Sequence, residues 1–312
     1  MLWLAGLMGL LGVSAVGVID MMPVEQDDET ADDVSNSVSD MARSGDDENT
    51  VTASDDFGDD TLTLGTEGND DLSGTDGDDT LHGEEGDDTL DGGLGNDTLH
   101  GDDGSDVIHG SDGADEIFGH NEDDTLDGGA GDDEMHGAMG ADDLSGGDGN
   151  DAVHGGLGDD TLSGGIGQDT LFGGWGDDVL NGVEDDADTD GTDHSDFLNG
   201  GGGDDIIIAG EDDVVTAGEG SDTIIAGGWI SAESATTIVD FDAEDDSILL
   251  VYDDNEDDPQ VSLQLDPEDP SVTQVMMNGV AVAHVANGAD ISIDNIALMP
   301  LSMAQSAGMA PA

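Results

Sequence analysis

Residues Gly92–His100 read GGLGNDTLH, and residues Gly155–Ser163 read GGLGDDTLS. The second phrase returns in the same nine-residue frame as the first. Started at Gly65, that frame runs without insertion to Ile208, giving 16 cells. Position 1 is Gly in all 16, position 4 is Gly in 13, position 6 is Asp in 15 and position 8 is apolar in 15. A half-matching cell, Asp55–Thr63, comes before it; a shortened cell, Ala209–Thr216, and a full one, Ala217–Ile225, come after. One cell, Gly182–Asp190, breaks both the Asp and the apolar rule, with Ala187 and Thr189.

The surrounding composition makes the recurring aspartate a puzzle. The chain has 312 residues with 79 Asp and Glu, one Lys or Arg (Arg43) and a formal net charge of −78. Self-repulsion on that scale opposes compaction unless something neutralises it. Nucleic acid and anionic membrane surfaces are excluded as partners, because both are held by cationic contacts. The absence of Lys removes a phosphate-loop lysine and a Schiff base. The absence of Cys removes a thiol nucleophile, a disulfide framework and a thiolate metal site. With aromatics at 3% and 51 Gly, composition alone describes an acidic disordered chain; the period overturns that description.

The pattern is the glycine-rich nonapeptide GGxGxDxUx, and the chain resembles the RTX (repeats-in-toxin) family of calcium-binding repeat proteins over residues 55–228. Beside the family name stands a physical reading. Glycines allow positive φ, so the backbone turns tightly and aims carbonyls at one spot. The last three residues of each cell then form a short strand with its middle apolar side chain inward. Two cells make a coil of about 18 residues, and equivalent side chains stack at the strand spacing of roughly 4.8 Å, so eight coils span roughly 40 Å. The expected fold is all-β: a right-handed parallel β-roll with a C-terminal β cap. Stacked carboxylates then need cations, and hard oxygen donors in irregular geometry suit Ca²⁺ better than Mg²⁺.

The expected metal-binding residues are therefore Asp70, Asp79, Asp88, Asp97, Asp106, Asp115, Asp124, Asp133, Asp142, Asp151, Asp160, Asp169, Asp178, Asp196, Asp205 and Asp222. The resemblance implies an ion between turns n and n+2 of one side. Discounting the pairs that involve the Gly182 cell leaves about a dozen structural Ca²⁺ sites. The defective cell has a signal of its own: Asp186, Asp188 and Asp190, followed by Gly191, spell DxDxDG, the opening of an EF-hand-type loop. Phe197 stands where such a loop carries its closing acid, with Asp196 one residue earlier. The alternative is a solvated acidic loop bulging from the roll.

Five of the eight His occupy position 9: His82, His100, His109, His136 and His154. His82, His100, His136 and His154 differ by multiples of 18, and Phe118 and Phe172 fall in the same column. A transition-metal ladder is one reading. The favoured one is a cross-strand stack on the outer face without metal.

At the N-terminus, residues 1–20 hold an uncharged apolar stretch, Leu2–Ile19, just long enough for a membrane span. It lacks the preceding basic residues of an ordinary signal peptide. A short anchor, an atypical export signal and a buried segment stay open. Residues 21–54 read as an acidic disordered linker. Residues 229–299 read as a capping β region, which a solenoid needs over its last coil. Strands are expected at Val261–Leu265, Val272–Met277, Val280–Val285 and Ile291–Ala297, with a hairpin turn at Asn278-Gly279. Residues 300–312 read as a flexible tail. The segment TTIVDFD (236–242) with DDSILLV (245–251) resembles the stretch found directly after the repeats in RTX proteins.

The resemblance implies a calcium-binding protein exported from a bacterium through a type I channel. It would fold on extracellular Ca²⁺ and serve a binding or structural role outside the cell or at its surface, with a matrix or surface partner. A membrane-tethered adhesin or matrix protein is the alternative, with membrane contact only through residues 1–20. An RTX-tailed hydrolase is disfavoured: no HExxH or GxSxG occurs, and no catalytic residues are expected.

Overall fold

The computed structural model describes residues 51–54, 60–183, 195–227, 230, 234–255, 259–307 and 309–310, and the structural features of the chain are those of these residues. Leu2–Ile19, most of the acidic segment after it and the Asp186–Asp190 motif lie outside them.

The nonapeptide winds into a parallel β-roll with two sheets, of 14 and 11 strands among the described residues. Successive strands alternate between the sheets, so each strand pairs with the one two cells away. Leu81 lies opposite Leu99, Leu99 opposite Ile117, and in the other sheet Leu90 opposite Ile108. The typical strand, such as Thr98–Asp103, has six residues rather than the expected three. It continues through positions 1 to 3 of the next cell, because the glycines there keep an extended path that still pairs with the neighbouring coil. Burial alternates along it: Leu99 and Gly101 face inward, Thr98 and His100 outward.

The core is correspondingly thin. One apolar side chain per cell, from Leu72 through Met135 to Leu180, forms a column that is 0–2% exposed. Small inward glycines separate these side chains. Burial of one Leu or Ile in every nine residues is a small hydrophobic return for so much ordered backbone, so the roll depends on its polar ladders and on whatever balances its charge.

Glycine plays two separate parts. At position 1 the expected positive φ does not occur; the reason for glycine is space. A Cβ on Gly83 would collide with Asp88 Oδ2 and stand 2.6 Å from the carbonyl of Gly101. Position 2 does take positive φ, as at Gly129 (102°) and Gly147 (107°). Ala138 occupies the equivalent place at φ 83°. Ala138→Gly is expected to stabilise the folded roll by about 1 kcal/mol, read as a higher melting temperature at fixed Ca²⁺.

The register lengthens at the Gly182 cell. Thr170 pairs with Phe197 and Val179 with Ile206, steps of 27 residues where the preceding coils use 18. The ladder closes across this longer step with Gly182 still in the coil, its amide donating to the Ile208 carbonyl. Across that step Asp169 meets Asp196 and Asp178 meets Asp205.

Beyond the repeats the two sheets continue into the cap. Thr236–Ile238 extends one and Ser247–Tyr252 the other. Val280–Ala286 then adds in parallel, followed by the antiparallel strands Val272–Met277 and Val261–Leu265. Asn278 (φ 53°) and Gly279 (φ 84°) make the turn with two positive φ values that suits a two-residue hairpin.

Three expectations differ. Ile291–Ala297 is not one strand: a 3-10 turn occupies Ile293–Asn295 and the strand is Ile296–Pro300. Asn295 wins locally, since its Oδ1 accepts from the Ser292 amide and hydroxyl while its Nδ2 donates to the Ala243 carbonyl. Val51–Ser54, within the segment read as linker, pairs antiparallel with Thr61–Thr66 and covers that sheet edge. In the tail, Leu301–Ser306 is helical, with Ala304 buried in a cluster with Ile208, Ile225 and Val251. None of the described helices is long and apolar enough to cross a membrane.

Candidate metal centre

Positions 5 and 6 of each cell carry two ladders running in opposite directions. At position 5 the side chain accepts from the backbone N–H of the residue one coil on. Asn96 accepts from Ala114, Asp132 from Asn150 and Asp159 from Asp177, at 2.9 Å. At position 6 the backbone N–H donates forward instead. Asp88 N–H donates to Asp106 Oδ1, Asp106 to Asp124 and Asp124 to Asp142, at 2.8–2.9 Å.

The two ladders differ in what they demand. Position 5 is exposed and accepts Asp, Asn, Ser, Ala or Gln; position 6 is Asp in 15 of 16 cells. Asn offers the same Oδ1 acceptor as Asp. Something beyond the backbone bond therefore requires a full carboxylate at position 6, and it involves Oδ2.

Oδ2 of Asp88, Asp97, Asp106, Asp115, Asp124, Asp133, Asp142, Asp151, Asp160, Asp178, Asp205 and Asp222 is buried and has no hydrogen-bond partner. Each of these residues is 0–3% exposed. Unpaired carboxylate oxygens at such burial are costly. Oδ2 faces the bare Cα of the position-1 glycine. In most cells the carbonyl of the next coil's glycine turns to the same spot: Gly128 is faced by Asp133 Oδ2 and the Gly146 carbonyl, and Gly155 by Asp160 Oδ2 and the Gly173 carbonyl. Such a cradle of carboxylate and carbonyl oxygens, closed to any side chain, fits a hard cation with oxygen ligands. No three His, Asp or Glu side chains among the described residues converge on a single point, as expected for a donor set that draws on main-chain carbonyls.

Electrostatics agree with the geometry. Burial, reinforced by aspartates one coil away, pushes the Asp124 carboxyl up to about 8. Asp151, Asp160 and Asp205 rise to about 7, and Asp97, Asp106, Asp115, Asp178 and Asp222 to about 6, with burial the leading cause in each. Adjacent residues move oppositely: Asp132, exposed and bonded to Asn150, is lowered, whereas buried Asp133 is raised.

The ends of the column are closed by the protein. Asp70 Oδ2 accepts from the Thr66 amide and hydroxyl, and Asp79 Oδ2 from those of Thr75. They share the cradle of glycine carbonyl and Oδ2 seen in the other cells and differ in the additional threonine donors at position 2. At the far end Asp213 and Asp246, absent from the expected set, carry the ladder on. Asp213 Oδ1 accepts from Asp196 and its Oδ2 from Gly210. Asp246 Oδ1 accepts from Asp222 and its Oδ2 from Asp242. The shortened cell hid Asp213; its register step of 17 is the signal that would have revealed it. Asp186, Asp188 and Asp190 lie outside the described residues.

His82, His100, Phe118, His136, His154 and Phe172 stack as one column, with ring centroids 4.4–5.2 Å apart and planes within 3–9°. The rings thus stack across the strands of one sheet, as the 18-residue spacing implies. His109 belongs to the other sheet, beside Asp127.

The family model for the RTX calcium-binding nonapeptide repeat matches residues 64–186 in overlapping stretches, then 190–224 and 210–228, just over half of the chain. Comparison with curated proteins returns no match. Among solved structures 24 chains match. One is the AlgE6R3 subunit from the Azotobacter vinelandii mannuronan C5-epimerase: 21% identity, TM-score 0.17, covering 57% of this chain and 79% of that one. Another is the extracellular lipase LipA from Serratia marcescens: 15% identity, TM-score 0.22, covering 76% of this chain. The chain spans 40% of that lipase's length.

Proposed function

The chain belongs to the RTX calcium-binding nonapeptide repeat family, and from that premise we propose that it is a calcium-folded structural or binding protein that works outside the cell that makes it. The observation that carries this is the column of buried Oδ2 atoms without hydrogen-bond partners, at every position-6 aspartate from Asp88 to Asp160 and at Asp178, Asp205 and Asp222. Each would join a neighbouring glycine carbonyl in holding a Ca²⁺ between coils, and the ladder that links Asp169 to Asp196 carries the column across the 27-residue step. Asp70 and Asp79 would stand at the margin of the ion column, their carboxylates already held by Thr66 and Thr75. The acidic loop at Asp186, Asp188 and Asp190 would add a peripheral site. Binding free energy is then folding free energy, because only the folded chain brings these oxygens together.

A solenoid made of repeats suits scaffolding and surface binding better than catalysis. Export obeys the same logic: a chain unfolded at low internal calcium passes a secretion channel, and external calcium folds it. Extracellular calcium modules bind at roughly 10⁻⁴–10⁻³ M. Protease resistance of the full chain, measured against free Ca²⁺, is expected to rise with a midpoint in that range. A midpoint near 10⁻⁷ M would place folding inside the cell and overturn the export reading.

A further inference from the structure

In one sheet the column of position-3 side chains changes character along the roll. It begins with Glu85, Asp103 and Asn121, register neighbours one coil apart, and continues with Met139, Leu157 and Trp175. The last three are 50%, 52% and 66% exposed. In the other sheet the same column alternates between Leu94, Asp112, Ala130, Asp148 and Ile166, so no continuous ridge forms there. An unbroken row of exposed apolar side chains on so acidic a chain marks an interaction site, and Trp is enriched among the residues that dominate binding.

The surface beside the ridge opens in the same coils. Position 2, between the ridge and the ring column, carries Glu84, Asp102 and His120 in the early coils. Beside the ridge it carries Ala138, Gly156 and Gly174. A shallow trough results, with Met139, Leu157 and Trp175 along one side and the stacked His136, His154 and Phe172 along the other. The Trp175 indole leans over Gly202, where an added Cβ would stand 3.4 Å from Trp175 Cε3. Toward the early coils the ridge runs into an acidic depression of about 620 Å³, whose lining includes Glu85, Asp87, Asp103, Glu122 and Met139. Met139 belongs to both. Asp159 and Asp177, two residues past Leu157 and Trp175, are exposed and border the ridge.

We propose that this column is a docking surface for a cationic amphipathic helix of a partner protein, with Lys or Arg over the acidic depression and apolar side chains along Met139, Leu157 and Trp175. Charge complementarity names the partner. Arg43, outside the described residues, is the one Lys or Arg of the chain, and a second copy would bring the same acidic depression to the interface. A helix suits the spacing: its 5.4 Å turn is close to the roughly 4.8 Å step between coils. From Glu85 to Trp175 is five such steps, roughly 24 Å or about 16 helical residues. This gives the binding role proposed above a surface, and it rests on the calcium-folded roll.

The test is fluorescence anisotropy of a labelled helical peptide of that length, with Lys in its first turns and a Leu face beyond, added to the calcium-loaded full chain at physiological salt. Leu157→Asp and Trp175→Asp each place at position 3 the residue found there at Asp103, Asp112 and Asp148, so the calcium midpoint for protease resistance should not move. Each should weaken binding about tenfold or more. Leu94→Asp, on the other sheet, should not weaken it. The sign is diagnostic: attraction to diffuse negative charge alone would be unchanged or tightened by an added Asp. Binding unchanged or tighter in both ridge variants overturns the proposal. So does sedimentation showing that the ridge pairs two copies of the chain, or binding of zwitterionic lipid vesicles in place of the peptide. Protease resistance of the same samples reads folding separately, so a folded chain that ignores the peptide refutes docking and leaves the calcium reading standing.

Discussion

Asp151→Asn will move the folding of this chain in opposite directions with and without calcium. The substitution keeps Oδ1, which accepts the Asp133 amide at 2.8 Å, and replaces the buried, partnerless Oδ2. With Ca²⁺ bound, the cradle formed with the Gly164 carbonyl at Gly146 loses its charge, at a cost of roughly 3–5 kcal/mol. Without Ca²⁺ the same change removes a buried charge. The Asp151 carboxyl is pushed from 3.8 to about 7, and at 1.36 kcal/mol per unit the relief reaches about 4 kcal/mol at most. The calcium midpoint should rise while the calcium-free chain becomes no less folded. Asp132→Asn, at the exposed neighbouring position that Asn occupies in other cells, should change neither. Equal effects from the two substitutions would show that the ladder matters only through its backbone bonds.

The second large effect is with pH. The position-6 carboxyls are raised in the folded chain, to about 6 for Asp106, about 7 for Asp160 and about 8 for Asp124, against about 3.9 unfolded. A raised folded-state pKa contributes stability that is complete below the unfolded value and lost as pH rises through the folded one. The calcium-free chain should therefore gain β structure near pH 4 and lose it progressively between about pH 6 and 8. Calcium reverses the dependence, because it needs the carboxylates ionised: the Ca²⁺ concentration for folding should increase as pH falls below about 7, with protons released on binding. Circular dichroism across that range without calcium, together with a pH-stat titration with it, reads both effects. A calcium-free chain that is unfolded at pH 4 and folded at pH 8 would contradict the burial of these groups.

The sequence was most legible where a single residue type had a single reason to recur. Period nine, the inward apolar column and the position-6 aspartates could all be read because the coil repeats at a constant 18-residue step from Gly65 to Asn181. The double role of glycine could not, since crowding at Gly83 and positive φ at Gly129 leave the same letter. Asp213 and Asp246 were hidden because the frame slips by one residue in the short cell and dissolves after it; only hydrogen bonds across coils reveal them. The Gly182 cell was visible as a defect, but the continuity of the ladder past it rests on the 27-residue register of Thr170 and Phe197.

Far-UV circular dichroism of the full chain at neutral pH, first in chelator and then titrated with Ca²⁺ and separately with Mg²⁺, addresses the proposed role of the aspartate column directly. Cation-driven folding predicts little β signal in chelator, a cooperative gain with Ca²⁺ and none at equal Mg²⁺, whose stricter octahedron the carbonyl and carboxylate cradle does not meet. A chain fully folded in chelator at neutral pH, or one that responds equally to both ions, would contradict it.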